Sequence, residues 1–349
     1  MNKKIYLTHC DSIVNEGGMA RNLAFFNYFN KRDVYVYNFF STSFFKRFLN
    51  LFLFLGYFCF FRNRKILIHQ GTLIYVFTLH FLKISVFSKL FFSLLRRASL
   101  RNELYIEVND LPYEQSIDLE LEPGNLLLYK SFQEQLFNLK KAHFIFASNE
   151  MRRYAEHHYG LNGSRNSVAL NGGPILMKQE LHFEWMDDLR TKYVYAGSLN
   201  QGRQIEELIA IFKKQGSTAI LILLGSGGEW ISELENCENI YYLGGFKEPL
   251  AHYIVSQCDV GVIPYAVDRL YYNICYPTKV SFYLTAGIKV LTTPIQELKN
   301  YYSSHNSIYL LPINEWSAFI ETDRQISTSK DKEISEEFYW ETILDSLCF

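Results

Sequence analysis

Two cations in this 349-residue chain, Lys279 and Arg203, stand where the surrounding residues suit work on an anion. Lys279 lies in the run Tyr276 to Pro294, YPTKVSFYLTAGIKVLTTP. Pro277 fits a first helical position, because its ring fixes φ and its missing N–H would find no partner there. Val280, Tyr283 and Leu284 recur at helical spacing, and Gly287 can take the left-handed turn that closes a helix. Val290 to Thr293 then reads as a short buried strand ended by Pro294. A helix N-terminus presents unpaired N–H groups and the positive end of a dipole, so a lysine in its first turn makes an anion site. The same spacing would serve any helix–strand unit of a parallel sheet with Lys279 simply solvated. Arg203 follows the turn Gly197-Ser198-Leu199-Asn200-Gln201-Gly202 and opens a helix whose Ile205, Leu208, Ile209 and Phe212 line one face. Arginine can grip phosphate oxygens with two parallel bonds, each worth roughly 1.5–3 kcal/mol. A surface salt bridge is the plainer use for it.

The carboxylates come from the first half. Glu103 to Val108, ELYIEV, is a buried-strand pattern that delivers Glu107, Asn109 and Asp110 to a turn closed by Leu111-Pro112. Acids at the C-terminal end of a parallel strand face the crevice where such sheets take ligands. Asp110 is the leading acid/base candidate, with Glu107 beside it; Asp110 would also serve as a turn or capping residue. Gly17-Gly18 separates a first strand, Lys4 to Thr8, from a helix beginning near Met19, in a turn that also holds His9 and Asp11. A glycine pair lets a ligand approach the backbone, or gives a flexible turn. It is not GxGxxG, which argues against a dehydrogenase.

Pro277-x-Lys279-x-x-x-Tyr283-Leu284-x-Ala286-Gly287, followed by Val290, resembles the donor-binding helix of GT-B glycosyltransferases, whose common pattern runs P-x-K-x-x-E-Y-L-A-x-G-x-P-V. Phe282 stands where that pattern has the glutamate that commonly holds the donor ribose, and Lys289 replaces a proline. The variant is closer to some small bacterial glucosyl- and galactofuranosyltransferases that also lack the glutamate. The turn after Ala196 is similar to the family's G-x-L-x-x-x-K-G: Gly197 and Leu199 are kept, and Arg203 falls on the lysine. Ser198 takes the place of a second basic residue, and Gln204 that of the last glycine. Asn109-Asp110 resembles the family's His-Asp with one substitution. Ala142 to Met151 and Val168-Ala169-Leu170-Asn171-Gly172-Gly173 look like the unit that closes a GT-B first domain. The likeness is good over about 193 to 294 and holds elsewhere only in outline.

The resemblance implies an α/β GT-B protein with two Rossmann-like domains facing a central cleft, nearest the family-four type with a reduced donor motif. It implies transfer of a sugar from a nucleotide-diphosphate sugar, UDP-sugar favoured. The acceptor would be a glycan or lipid-linked glycan in bacterial surface polysaccharide synthesis, and the transfer would proceed with retention. No cofactor and no metal are expected, because the helix dipole, Arg203 and Lys279 offset the charge of the leaving diphosphate. The donor-binding set it implies is Gly17, Gly18, Gly197, Ser198, Arg203, Gly225, Gly245, Phe246, Tyr265, Tyr276 and Lys279. Phe246 could stack on the base, and Tyr265 opens the loop that leads through Tyr276 to Lys279. Other readings stay open: a non-catalytic GT-B subunit that stabilises a partner transferase, which the missing glutamate at Phe282 suits, and a nucleotide-sugar epimerase or phosphorylase.

A chain of this length favours two domains. We expect an acceptor domain over 1–175, a linker over 176–191, a nucleotide-sugar domain over 192–330, and a final helix within 331–349 returning to the first domain. A net charge of −1 gives no global reason to expect nucleic acid, and six cysteines without CxxC spacing argue against disulfides or zinc. The first residues lack a signal peptide's apolar region, and the most apolar segment, 48–61, is too short to span a bilayer. The oddest stretch is 34–102. The 69 residues between Asp33 and Glu103 hold no Asp or Glu, ten Lys or Arg, and a crowd of Phe and Leu. Basic residues beside aromatics suit an anionic membrane surface, or a plain core with a basic exterior. The expected place is cytoplasmic, peripheral on the inner face of the cell membrane.

Overall fold

The computed structural model describes residues 3–11, 17–121, 123–200, 204–233, 237–322, 334–347 and 349. Two compact units share the chain: residues 1–170 with 344–349, and residues 171–343.

The first unit runs β1 (Lys4–Thr8), α1 (Gly17–Asn30), β2 (Tyr35–Asn38), α2 (Phe44–Phe60), β3 (Lys65–His69), α3 (Gln70–Phe77), α4 (Leu79–Leu82), α5 (Ser85–Arg101), β4 (Glu103–Val108), α6 (Pro112–Asp118), α7 (Leu126–Phe137), β5 (His143–Phe146), α8 (Asn149–Tyr159) and β6 (Asn166–Val168). The six strands form one parallel sheet in the order β2-β1-β3-β4-β5-β6. The central strands are mostly apolar because helices cover both faces. The chain leaves β1 in one direction and returns on the other side at β3, so the switch point of the sheet lies between those two strands. Helix α8 starts where Ser148 Oγ accepts the Met151 N–H at 3.1 Å and stops at Gly160, whose φ of +62 only a glycine adopts cheaply. A 3-10 turn at Pro123–Asn125 leads directly into α7. The tail closes on this unit: Lys4 Nζ donates to the Phe349 carbonyl at 2.7 Å, and Asp345 accepts from Arg32 at 2.8 Å and Tyr28 at 2.7 Å.

The second unit runs β7 (Thr191–Ala196), α9 (Ile205–Lys213), β8 (Ala219–Leu224), β9 (Ile240–Gly244), α10 (Glu248–Ser256), β10 (Val260–Ile263), α11 (Leu270–Ile274), α12 (Thr278–Thr285), β11 (Lys289–Thr292), α13 (Gln296–Tyr302), β12 (Ile308–Leu310), α14 (Trp316–Thr322) and α15 (Trp340–Asp345), the last crossing into the first unit at residue 344. Its parallel sheet has the order β12-β11-β10-β7-β8-β9, with the switch point between β7 and β10. Tyr193, Tyr195, Leu208, Phe212, Leu221, Val260, Leu291 and Trp316 pack as one core over it. Residues 176–191, expected as a linker, belong to this unit and hold a 3-10 turn, Glu184–Asp187, with Trp185 buried. The final helix, expected within 331–349, is only Trp340–Asp345. Gly173 N–H donates to the Phe338 carbonyl at 2.8 Å and Trp340 N–H to the Gly173 carbonyl at 3.1 Å, so Tyr339 is drawn into an extended bridge and α15 begins only after it. Among the described residues, no helix is long and apolar enough to cross a membrane.

Candidate functional site

In the second unit the C-terminal ends of β7, β8 and β9 meet as three glycine turns. Gly197 N–H donates to the Leu224 carbonyl at 2.8 Å, Gly225 N–H to the Gly244 carbonyl at 2.9 Å, and Leu199 N–H to the Ser226 carbonyl at 2.9 Å. Gly225 sits at φ +148, and a Cβ there would run into the Gly197 carbonyl oxygen. No other residue allows the turns to approach so closely.

Helix α12 brings Lys279 to this place through Tyr283, one turn later on the same helical face. The Tyr283 ring lies flush on Gly261 of β10, where any Cβ would collide with it. Its hydroxyl accepts the Ala196 N–H at 2.9 Å and donates to the Val262 carbonyl at 3.4 Å, filling the gap where β7 and β10 part. Lys279 is thereby laid over Gly197: a Cβ on that glycine would stand 2.6 Å from the lysine Cε and 2.9 Å from Nζ. The ammonium also rides 5.1 Å from the Tyr195 ring centre and 5.5 Å from that of Tyr265. Pro277 caps the helix and Thr278 begins it, so Lys279 is in the first turn, where N–H groups have no partner within the helix.

Gly197, Ser198, Gly225, Gly245, Tyr265 and Lys279 are therefore gathered at one end of this sheet. Gly245 is exposed beside Gly225, and Phe246 stands half-buried with its ring edge on Phe183, 6.4 Å between centroids. Tyr265 stacks on Tyr272 at 4.3 Å. Tyr276 is a correction to the expected set. Its side chain is buried and its hydroxyl bonds Ser281 Oγ at 2.9 Å, so it packs in the interior instead of reaching a ligand. Arg203 lies outside the described residues. Phe282, at the expected glutamate's place, lays its ring on His252 with 4.8 Å between centroids.

In the first unit the sequence singled out Glu107, Asp110, Gly17 and Gly18. The glycine pair begins α1. Asp110 is half-buried just past β4, and its Oδ2 accepts from Asn109 Nδ2 at 2.7 Å. Glu107 is the second correction: its side chain is 0% exposed and tied to Arg21. Arg21 Nε donates to Glu107 Oε1 at 2.5 Å, and Nη1 donates to the Ala169 and Leu170 carbonyls at 2.8 and 3.1 Å. Burial pushes the Glu107 carboxyl upward and the guanidinium opposes it. The strand ELYIEV, read as delivering Glu107 to the turn at its end, instead holds it inside the domain.

The sequence reading passed over the residues that crowd the switch point of this sheet. His69 Nδ1 accepts the Gly71 N–H at 3.1 Å, which leaves its proton on Nε2, 3.3 Å from Glu107 Oε2. His9, just past β1, bonds Thr72 Oγ1 at 3.0 Å and stacks on Tyr75 at 4.8 Å. Its ring is 5.4 Å from that of His69. Burial pushes both imidazoles down to about 3, with Arg21 adding to the effect at His69 and His69 at His9, so both are neutral at pH 7. The Gln70 amide is buried with neither its nitrogen nor its oxygen bonded among the described residues. A histidine ending a strand beside a Gln-Gly helix start was the available signal. No group of three or more His, Cys, Asp or Glu suited to a metal ion occurs among the described residues.

The sequence matches no protein-family model and no curated protein. Solved structures do match its architecture. WaaG, a glycosyltransferase involved in lipopolysaccharide biosynthesis, aligns at TM-score 0.57 and 10% identity over 99% of this chain and 96% of its own. HepE from Anabaena, solved with UDP and glucose, aligns at 0.60 and 14% over 99% and 100%. Sucrose-phosphate synthase from Thermosynechococcus elongatus aligns at 0.63 and 13% over 98% and 96%. At such identities what is shared is the architecture: this chain has the α/β GT-B fold, with one Rossmann-like parallel sheet in each of its two units.

Proposed function

We propose that the chain is a metal-independent glycosyltransferase that takes a sugar from a nucleotide-diphosphate sugar and passes it to a glycan or lipid-linked glycan of the bacterial surface. The observation that carries this reading is Lys279, held by Tyr283 over the Gly197 turn at the switch point of the second unit. A departing nucleoside diphosphate gains negative charge as the glycosidic bond breaks. A preorganised ammonium and a helix N-terminus stabilise that charge without reorganising. Glycine turns at 197, 225 and 245 let backbone N–H groups reach the phosphates and nucleoside. Uridine comes first among the bases because HepE, of the same fold, was solved with UDP and with UDP-glucose. In the first unit, the neutral His9 ring and the Gln70 amide suit sugar hydroxyls, which both donate and accept. Asp110 takes the acid/base role, while Glu107 holds Arg21. Retention is the expected stereochemistry, and no protein nucleophile is assigned.

Phe282 favours a second reading, a donor-binding subunit without turnover, since an aromatic ring cannot hold a ribose as a carboxylate does. One experiment serves both. Thermal unfolding is followed with UDP, GDP, ADP or CMP, for wild type, Lys279→Ala and Arg203→Ala. A nucleotide at about 100 times its Kd adds about 2.7 kcal/mol. Losing one charged hydrogen bond of roughly 1.5–3 kcal/mol should weaken binding about ten- to 150-fold. Stabilisation by one nucleotide, reduced in both variants, supports the donor site. If no nucleotide stabilises the wild type, the transferase reading falls. Binding without release of the nucleoside diphosphate from its sugar, with membranes present, would favour the second reading.

A further inference from the structure

The acid-free stretch between Asp33 and Glu103 includes α2 and α5, which pack against each other. Each buries one side: Phe54 and Phe58 from α2, and Phe91, Phe92 and Leu95 from α5. The remaining apolar side chains stand in solvent. Phe44 is 85% exposed, Phe45 68% and Val86 72%, and Phe48, Leu49, Phe52, Leu53, Phe87 and Leu90 are exposed as well. Phe44, Phe48 and Phe52 repeat every four residues as one stripe, with the last two rings 4.9 Å apart. Lys46, Arg47, Lys83, Lys89, Arg96 and Arg97 are exposed on the same two helices or the turn before α5.

We infer that the exposed faces of α2 and α5 dock on an anionic lipid bilayer, the two helices lying in its interfacial zone. A bilayer surface takes aromatic and aliphatic side chains into the headgroup boundary while its charge attracts the cations. A second copy of this chain fits poorly, because a two-fold contact would press one acid-free cationic face on another. A nucleic acid would use the cations but not the stripe of Phe, Leu and Val. The donor site plays no part in this inference.

The test is co-sedimentation of the full chain with vesicles of phosphatidylcholine alone or mixed with phosphatidylglycerol. Two variants are compared: F44S/F45S/F48S/F52S and K46Q/R47Q/K89Q/R97Q. Wild type should bind the mixed vesicles, release them as salt rises, and ignore pure phosphatidylcholine. Each cation near the surface contributes about 1 kcal/mol, so the charge variant should bind several hundredfold more weakly, about fivefold per residue. The aromatic variant should lose binding at unchanged charge, and circular dichroism melting confirms that each variant is folded; if one is not, the other decides. Failure of wild type to bind the mixed vesicles, equal binding to both kinds, or wild-type binding by the folded variants overturns the inference. So does a wild-type dimer in solution that the aromatic variant dissolves, since the face would then be an interface between copies.

Discussion

Acidification from about pH 7.5 to about pH 5 should destabilise the second unit by about 2 kcal/mol through His252 alone. That residue is buried in α10, with Nε2 donating to the Phe282 carbonyl at 3.1 Å and lying 3.2 Å from Thr285 Oγ1. With the proton on Nε2, protonation would fall on Nδ1, which is buried and unbonded among the described residues. Burial therefore lowers its pKa to about 4, against the small raising effect of the Phe282 carbonyl. The sign follows from the protons bound. Below its ordinary value of about 6.5 the unfolded chain takes up a proton that the folded state refuses until about 4, so stability falls with pH across that window and no further below it. One proton over about 1.5 pH units at about 1.36 kcal/mol per unit gives the 2 kcal/mol. Trp185, Trp230, Trp316 and Trp340 all lie in the second unit, so tryptophan fluorescence during urea unfolding reports this unit selectively. His252→Gln keeps a side-chain donor and removes the titration. Wild type should lose about 2 kcal/mol more than the variant between the two pH values. Equal losses in the two proteins would refute the assignment.

Three further substitutions probe the positioning of the ends of the sheets. Arg21→Met strands a buried carboxylate at Glu107 and should cost about 3–5 kcal/mol, whereas Arg21→Met with Glu107→Leu should recover most of that loss; unfolding followed by far-ultraviolet circular dichroism distinguishes the two. A single variant no less stable than wild type would mean that the pair does not hold the fold. Gly225→Ala forces a Cβ against the Gly197 carbonyl at a φ that side chains avoid, and should cost at least about 2 kcal/mol by tryptophan fluorescence. A neutral result there would mean that the turns of β7 and β8 do not approach as closely as described.

The Lys279 unit was legible because local rules act within it. A proline sets the start, an i,i+4 pair sets the face, and Gly287 at φ +75 sets the stop. Each signal lies within a dozen residues, where periodicity and turn chemistry carry the information. Tyr276 lies in the same run yet was misplaced, since its fate is decided by Ser281 and by Tyr302, the latter well removed in sequence. The first unit shows the same limit more sharply. A buried-strand pattern places Glu107 near the end of β4 but does not name its partner. The partner is Arg21, 86 residues earlier, on α1. His9 and His69 were hidden for a related reason. One lies in a turn and the other inside an apolar run, and only the crossing from β2 back past β1 to β3 makes them neighbours. Parallel sheets build sites in this way: strand ends adjacent in space are far apart in sequence, so single-strand patterns find the scaffold before the site. The exposed faces of α2 and α5 are the converse case. There composition carried no direction, and only burial separates Phe54 and Phe58 inside from Phe44, Phe48 and Phe52 outside on one helix. Aromatic residues left in water beside six exposed cations have no structural use within the unit that carries them, and that asymmetry makes a surface outside the protein their best partner.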